Sequence, residues 1–300
     1  MHHTPRVAIL GATGFIGRGL PELLAAHGMA CTGVSRAGTG QVPGIDHWQK
    51  PENLDVSGHH AVINLAGEPV DCRWTEENRR RLHESRIGTT RRVIAAIRAL
   101  SSDERPEVLV NASAVGIFGD RGDEILTESS ACGTGFLAEL CRDWEEAAME
   151  AHELGVRVVR PRIGIVLGSG GAAMAKLLPI FKAGLGGRLG TGSQWMPWIH
   201  LLDLRAALVH AVLTESIVGA VNCAAPYAER NLDFTRKLAS ALHRPAFLPV
   251  PGFALKLALG GFGGALLDSQ HVTPDALEKS GFSFAFPTLE SAFSSRGAIL

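Results

Sequence analysis

Residues 6–17, RVAILGATGFIG, leave this chain few architectures. Five consecutive residues, almost all apolar, read as a strand buried on both faces, and such strands belong to parallel sheets whose crossover helices cover them. The strand runs directly into glycines at Gly11, Gly14 and Gly17, and a helix-period segment follows from about Phe15 to His27 with Leu20, Leu23 and Leu24 on one face. A strand turning through glycines into a helix is one βα unit.

The same alternation continues. Strands are predicted at 30–36, 60–67, 107–116 and 219–226, with a strand and the loop that follows it at 156–168 and a short polar connection before residue 60. Helices are predicted at 75–100 (Arg-rich), 135–155, 172–184 and 203–214. The expected fold is α/β: a Rossmann-type doubly wound parallel sheet with a smaller C-terminal α+β substrate-side domain. Residues 1–168, completed by about 201–224, would form the nucleotide-binding domain, and 169–200 with 225–300 the smaller one.

Composition narrows the function. A formal net charge of −1 lacks the basic footprint of a nucleic-acid binder. Five scattered cysteines without CxxC spacing suggest neither a disulfide framework nor a metal site. The first residues run straight into a strand with no room for a signal peptide, and the longest apolar stretches are broken by Asp203, Arg205, Glu215 and Lys256. A cytoplasmic protein with a small-molecule substrate, and neither nucleic-acid nor membrane partners, is the expectation.

GATGFIG carries the cofactor reading. Gly11 permits a tight turn, Gly14 lets the backbone approach a pyrophosphate, and Gly17 lets helix and strand pack closely; Thr13, Phe15 and Ile16 complete the loop. The following helix would present free N–H groups to the phosphates. About 20 residues on, the second strand ends Val34-Ser35-Arg36 rather than in an acid. A guanidinium there binds a 2′-phosphate, which a carboxylate would repel, so NADP(H) is the expected cofactor. Leu65, Ala66 and Gly67 form a small strand end on which a cofactor ribose could lie, or a plain turn. Ser113, ending NASAVG, could bond a substrate oxygen or cap its loop.

Together GATGFIG, NLAG, SAVGIFG and RPRIGIVLG resemble the extended short-chain dehydrogenase/reductases, the nucleotide-sugar epimerase/dehydratase group. NLAGEPV, RWTEENRRRLHESRIGTT, FLAELCRDWE, PWIHLLDL and the terminal LLDSQHVTPDALEKSGFSFAFPTLESAF narrow this to its atypical epimerase-like family with an extra C-terminal domain. The resemblance implies cofactor contacts at Ser35, Arg36, Leu65, Arg86 and Arg162, the last beside Pro161. It also implies an oxidoreductase or epimerase acting on a nucleotide sugar or another carbonyl compound, and by analogy a homodimer through helices 75–100 and 135–155.

In that group a Tyr with a Lys four residues later is the general acid/base. Here GTGFLAELCRDWEEA offers Phe136 and Leu140, or Leu137 and Cys141 one residue on. The only tyrosine, Tyr227, lies elsewhere without a Lys partner. Ser113, Glu139 and His200 are the remaining candidates for proton transfer. Glu128, and Asp120, Asp123 and Glu124 in GDRGDE, are further acids in range, each with an ordinary surface reading. His200 could ligate, move a proton, or close a helix start beside Asp203; Arg162 could hold an anionic substrate or the nicotinamide end. Trp195 and Trp198 could wall a pocket or join the domains. A non-catalytic NADP(H)-binding regulatory or sensor protein is the competing reading.

Overall fold

The computed structural model describes residues 4–294 and 299. Its strands in chain order are β1 (Arg6–Leu10), β2 (Ala30–Val34), β3 (Ile45–Gln49), β4 (Ala61–Asn64), β5 (Val108–Asn111), β6 (Ser113–Ala114) and β7 (Ile125–Leu126). These are followed by β8 (Arg157–Ile163), β9 (Ile165–Leu167), β10 (Trp195–Met196), β11 (Trp198–His200), β12 (Gly219–Cys223), β13 (Glu229–Arg230) and β14 (His271–Val272). The main sheet is wholly parallel in the order β12-β8-β5-β4-β1-β2-β3, with β6 prolonging β5 along β8. The order reverses between β1 and β4, and ligands of such sheets lie at that point beyond the strands' carboxyl ends.

Alternation on β1 explains the two covering layers. Val7 and Ile9 point to a core shared with α1 (Leu20–Ala26) and α6 (Leu201–Leu213); Ala8 and Leu10 point to the opposite one, packed by Val93, Ile94 and Ile97. Pro161 interrupts neither layer. The β5–β8 ladder ends at Val110↔Val159 and resumes as β6–β8 at Ser113↔Arg162, so the missing proline N–H falls in the gap.

Several boundaries differ from the sequence reading. The segment after the glycine loop opens with a 3₁₀ turn, Gly17–Gly19, and α1 proper starts only at Leu20. The connection before residue 60 contains β3, an edge strand whose sequence IDHWQ buries only Ile45 and so lacks an apolar run. The long Arg-rich helix is α2 (Glu76–His83) and α3 (Thr89–Arg98), joined by a π-helical turn at Glu84–Gly88. The next helix, α4 (Phe136–Met149), stops earlier than expected, and β12 ends at Cys223.

The remaining helices are α5 (Ala172–Lys182), α7 (Asn231–Ala241), α8 (Gly252–Leu259), α9 (Gly261–Ala265), α10 (Asp275–Lys279) and α11 (Leu289–Ser294). The C-terminal region they form with β14 is tied to the sheet. β14 pairs with β7, and the Asp203 carboxylate on α6 accepts the N–H groups of Ala285 and Phe286, both at 2.9 Å. A third core gathers Met174, Phe181, Trp198, Phe234, Leu238, Leu289 and Phe293. Among the described residues, no helix is long and apolar enough to cross a membrane.

Candidate dinucleotide and substrate site

The glycine turn sits at the carboxyl end of β1. Gly11 donates to Val34 O at 3.3 Å and accepts from Gly14 N at 2.9 Å. Two glycines are dictated by space: Gly11 has φ +80°, and a Cβ on Gly17 would lie 2.3 Å from Gly11 O. Thr13 and Gly14 are exposed at the mouth, with Phe15 and Ile16 half-buried behind them. The carbonyls of Phe15 and Ile16 accept from Arg205 of α6, at 2.7 and 2.9 Å. Burial, with Arg18 nearby, lowers the Arg205 pKa against the opposing pull of Glu22, and those two carbonyls satisfy its donors. In sequence Arg205 had registered only as a break in an apolar stretch. A recess of about 250 Å³ lies between Phe15, Arg18, Ser169, His200 and Arg205.

Beside this turn, Ser35 donates its hydroxyl to Thr39 O at 2.7 Å, and Arg36 projects with 91% of its side chain exposed, paired to Glu68 Oε1 at 3.2 Å. The strand end at Leu65–Gly67 is held from beneath. Leu65 N donates to Leu10 O at 3.0 Å, and Ala66 N to the Asn64 side chain at 3.2 Å. Asn64 belongs to a buried network: it donates to Asn111 (2.7 Å) and Thr90 (3.1 Å), while Thr90 accepts from Trp144 Nε1 (3.0 Å) and donates to Asn111 (3.1 Å). Arg86, on the π turn, donates to Glu68 O at 3.0 Å and lies 5.3 Å from the Trp144 ring centroid. Its pKa is lowered by burial. A Cβ on Gly67 would sit 3.2 Å from its guanidinium carbon, so Arg86 backs the strand end directly.

The position of the usual tyrosine is packed. Phe136 lies 4.9 Å from the Trp74 ring with Arg79 over its face at 4.8 Å, and Leu140 is buried. In the shifted register, burial pushes the Cys141 thiol up to about 12, with the neighbouring Glu145 adding to the shift. Ser113, 2% exposed, donates to Glu145 Oε1 at 2.7 Å. Arg162 grips the same carboxylate through Nε (2.8 Å) and Nη2 (3.1 Å), Arg160 adds a bond at 3.1 Å, and Arg162 Nη1 reaches Glu128 O at 3.1 Å. Ser113 and Arg162 are thus brought together, but by a carboxylate the sequence reading passed over. The signal existed: Leu137, Cys141 and Glu145 share one helix face at i, i+4 spacing, and Arg160 and Arg162 share one strand face at i, i+2.

Other candidates fall elsewhere. Glu139 is exposed on the first turn of α4. Glu128 Oε1 accepts from Asn222 N and Ala276 N, both at 3.0 Å, which joins the C-terminal region to β12. His200, 1% exposed, caps α6: its Nδ1 accepts from Leu202 N at 3.2 Å, Phe286 covers the ring at 3.8 Å, and burial pushes its pKa down to about 4. With Nδ1 accepting, the proton of the neutral ring is on Nε2, a buried atom without a hydrogen-bond partner. Trp198 is core, whereas Trp195 stacks on His271 at 4.0 Å and donates to Asp123 at 2.9 Å. Asp120 and Asp123, with Ser193, Gln194 and Arg230, line an open cleft of about 640 Å³, while Glu124 is paired to Arg121 at 2.6 Å.

Comparison with known proteins agrees with this geometry. Residues 7–224 match the family model described as "NAD dependent epimerase/dehydratase family", and residues 250–295 one described as "Domain of unknown function (DUF1731)". The chain is 39% identical to "Epimerase family protein SDR39U1 homolog, chloroplastic" of Arabidopsis thaliana, covering 95% of this chain and 85% of that protein. It is 35% identical to "Epimerase family protein YfhF" of Bacillus subtilis, covering 96% of each. A crystal structure of the human epimerase family protein SDR39U1 (isoform 2) with NADPH superposes with a TM-score of 0.87 at 33% identity, covering 96% of this chain and 97% of that one. The parallel sheet, the glycine turn at its switch point and the C-terminal region therefore place this chain in the NAD-dependent epimerase/dehydratase family.

Proposed function

We propose that this protein is an NADP(H)-dependent oxidoreductase or epimerase of the extended short-chain type that works without the Tyr–Lys pair. The observation that carries the reading is the Gly11–Gly17 turn with the exposed guanidinium of Arg36 at the end of β2, where an acid would mark the unphosphorylated cofactor. Gly11, at φ +80°, and Gly17, whose Cβ would strike the Gly11 carbonyl oxygen, permit the tight turn and close packing that such a loop needs to approach a pyrophosphate. Gly11, Thr13, Gly14, Phe15 and Ile16 would hold the phosphates, Arg36 the 2′-phosphate, and Leu65–Gly67, backed by Arg86, the ribose. Bound there, the nicotinamide supplies hydride transfer. The human relative solved with NADPH supports the same reading. The cleft beside Asp123 and Arg230 would take the substrate, a carbonyl compound or its alcohol, and five free cysteines suit a reducing cytoplasm.

A second reading has its own support. Ser113 gives its hydrogen to Glu145, and the tyrosine position is filled by packing, as a protein that binds NADP(H) without turning it over would allow. Releasing and identifying the dinucleotide from purified, denatured protein, then titrating NADPH and NADH, tests the shared premise. Arg36→Asp is expected to abolish a preference for NADPH; unchanged relative affinity would sink the Arg36 assignment. Cofactor oxidation in a carbonyl-substrate screen separates enzyme from binder.

A further inference from the structure

Arg36 stands just beyond β2 and Glu68 follows β4, and β1 lies between those strands. Neighbouring strands are about 4.8 Å apart, so the 3.2 Å contact between Arg36 Nη1 and Glu68 Oε1 reaches across the carboxyl end of β1, where the glycine turn starts. Glu68 is held through both of its backbone polar groups: its N–H donates to Ser85 Oγ at 3.1 Å and its carbonyl accepts from Arg86 Nη2 at 3.0 Å, both partners on the π turn. A second guanidinium approaches the same side chain, with Arg81 Nη2 at 3.9 Å from Oε2. A fixed backbone thus presents a one-third-exposed carboxylate between an arginine after β2 and another on α2.

Carboxylate and phosphate make the same kind of charge-assisted contact with a guanidinium. We infer that Glu68 is an internal anion occupying the 2′-phosphate subsite of the proposed crevice, so that it competes with the phosphate for Arg36, while Arg81 is the subsite's second cation. The inference rests on the NADP(H) reading above. Glu68 acts twice against the phosphorylated cofactor: it must release Arg36 before the phosphate is gripped, and it then remains a nearby like charge. NADH, with no 2′-phosphate, has no claim on Arg36 and little to gain when Glu68 is neutralised. Glu68 therefore tunes discrimination between the cofactors.

The test is the ratio of NADPH to NADH dissociation constants in the full-length wild type, Glu68→Gln, Arg81→Gln and Arg36→Asp, measured by calorimetry at low salt. Breaking one exposed ion pair and a like-charge contact shifts the ratio about two- to tenfold. Glu68→Gln is expected to favour NADPH by that factor, and Arg81→Gln to disfavour it. A ratio that stays put or falls in Glu68→Gln overturns the competition, and an unmoved ratio in Arg81→Gln removes the second cation. Failure of the underlying reading looks different: the wild type then shows no preference for NADPH and Arg36→Asp changes nothing.

Discussion

Replacing Glu145 by Ala is the most searching perturbation of the site's interior. Its side chain is 5% exposed and that of Arg162 is 7% exposed. Deleting the carboxylate takes away the Nε and Nη2 contacts of Arg162, one contact of half-buried Arg160, and the acceptor of the Ser113 hydroxyl. Arg162 keeps a carbonyl of Glu128 and the face of Phe118, 5.2 Å from its guanidinium carbon, neither of which neutralises it. An uncompensated buried charge of this kind costs about 3–5 kcal/mol. At about 2 °C per kcal/mol for a chain of this size, the melting temperature falls by about 6–10 °C.

The control is the double variant Glu145→Leu with Arg162→Met. Removing both charges in roughly the same volume is often close to neutral, so the double variant should recover about 2 kcal/mol relative to Glu145→Ala. Urea denaturation followed by circular dichroism measures both. A loss under about 1 kcal/mol in the single variant, or no recovery in the double variant, would refute the claim that the carboxylate balances the buried Arg162.

Further expectations are simpler. Gly17→Ala should destabilise the loop and abolish dinucleotide binding in a direct titration, because its Cβ would stand 2.3 Å from the Gly11 carbonyl oxygen. His200 is neutral in the fold down to about pH 4, whereas in the unfolded chain it titrates near 6.5, so the unfolded state binds the extra proton between those values. Stability from this residue is present above about pH 6.5 and lost as pH falls towards 4. His200→Asn, which keeps an acceptor at the helix cap, should flatten that part of the stability–pH curve measured in urea.

What was legible in the sequence follows from what each element spends its residues on. RVAIL, AVIN and VLVN are apolar on both faces, so their burial shows in composition alone, and with it the parallel sheet. β3 did not show because an edge strand with polar side chains carries no such run. The π turn was invisible because its residues, ESRIG, continue a helical period while one extra residue widens the turn and aims Arg86 at the strand end. The glycine loop was readable because close backbone approach demands a specific residue type. Glu68 was not, and Glu145 showed only as an acid on a helix face shared with Leu137 and Cys141, with nothing to name its partners. A lone acid in a charged segment looks solvated until the fold supplies arginines from 32 and 17 positions away.

Proton supply ties the interior to the function. Around the usual tyrosine position each side chain is already committed: Phe136 to an aromatic cluster, Leu140 to the core, the Cys141 thiol to its protonated form, and the Ser113 hydrogen to Glu145. A serine that gives its hydrogen to Glu145 has none left with which to polarise a carbonyl. For the serine to turn, Glu145 would have to exchange that hydrogen bond for another while two arginines still hold it. Under the proposed oxidoreductase reading, the proton that accompanies hydride transfer therefore needs a route other than a Tyr–Lys pair or Ser113 in this arrangement.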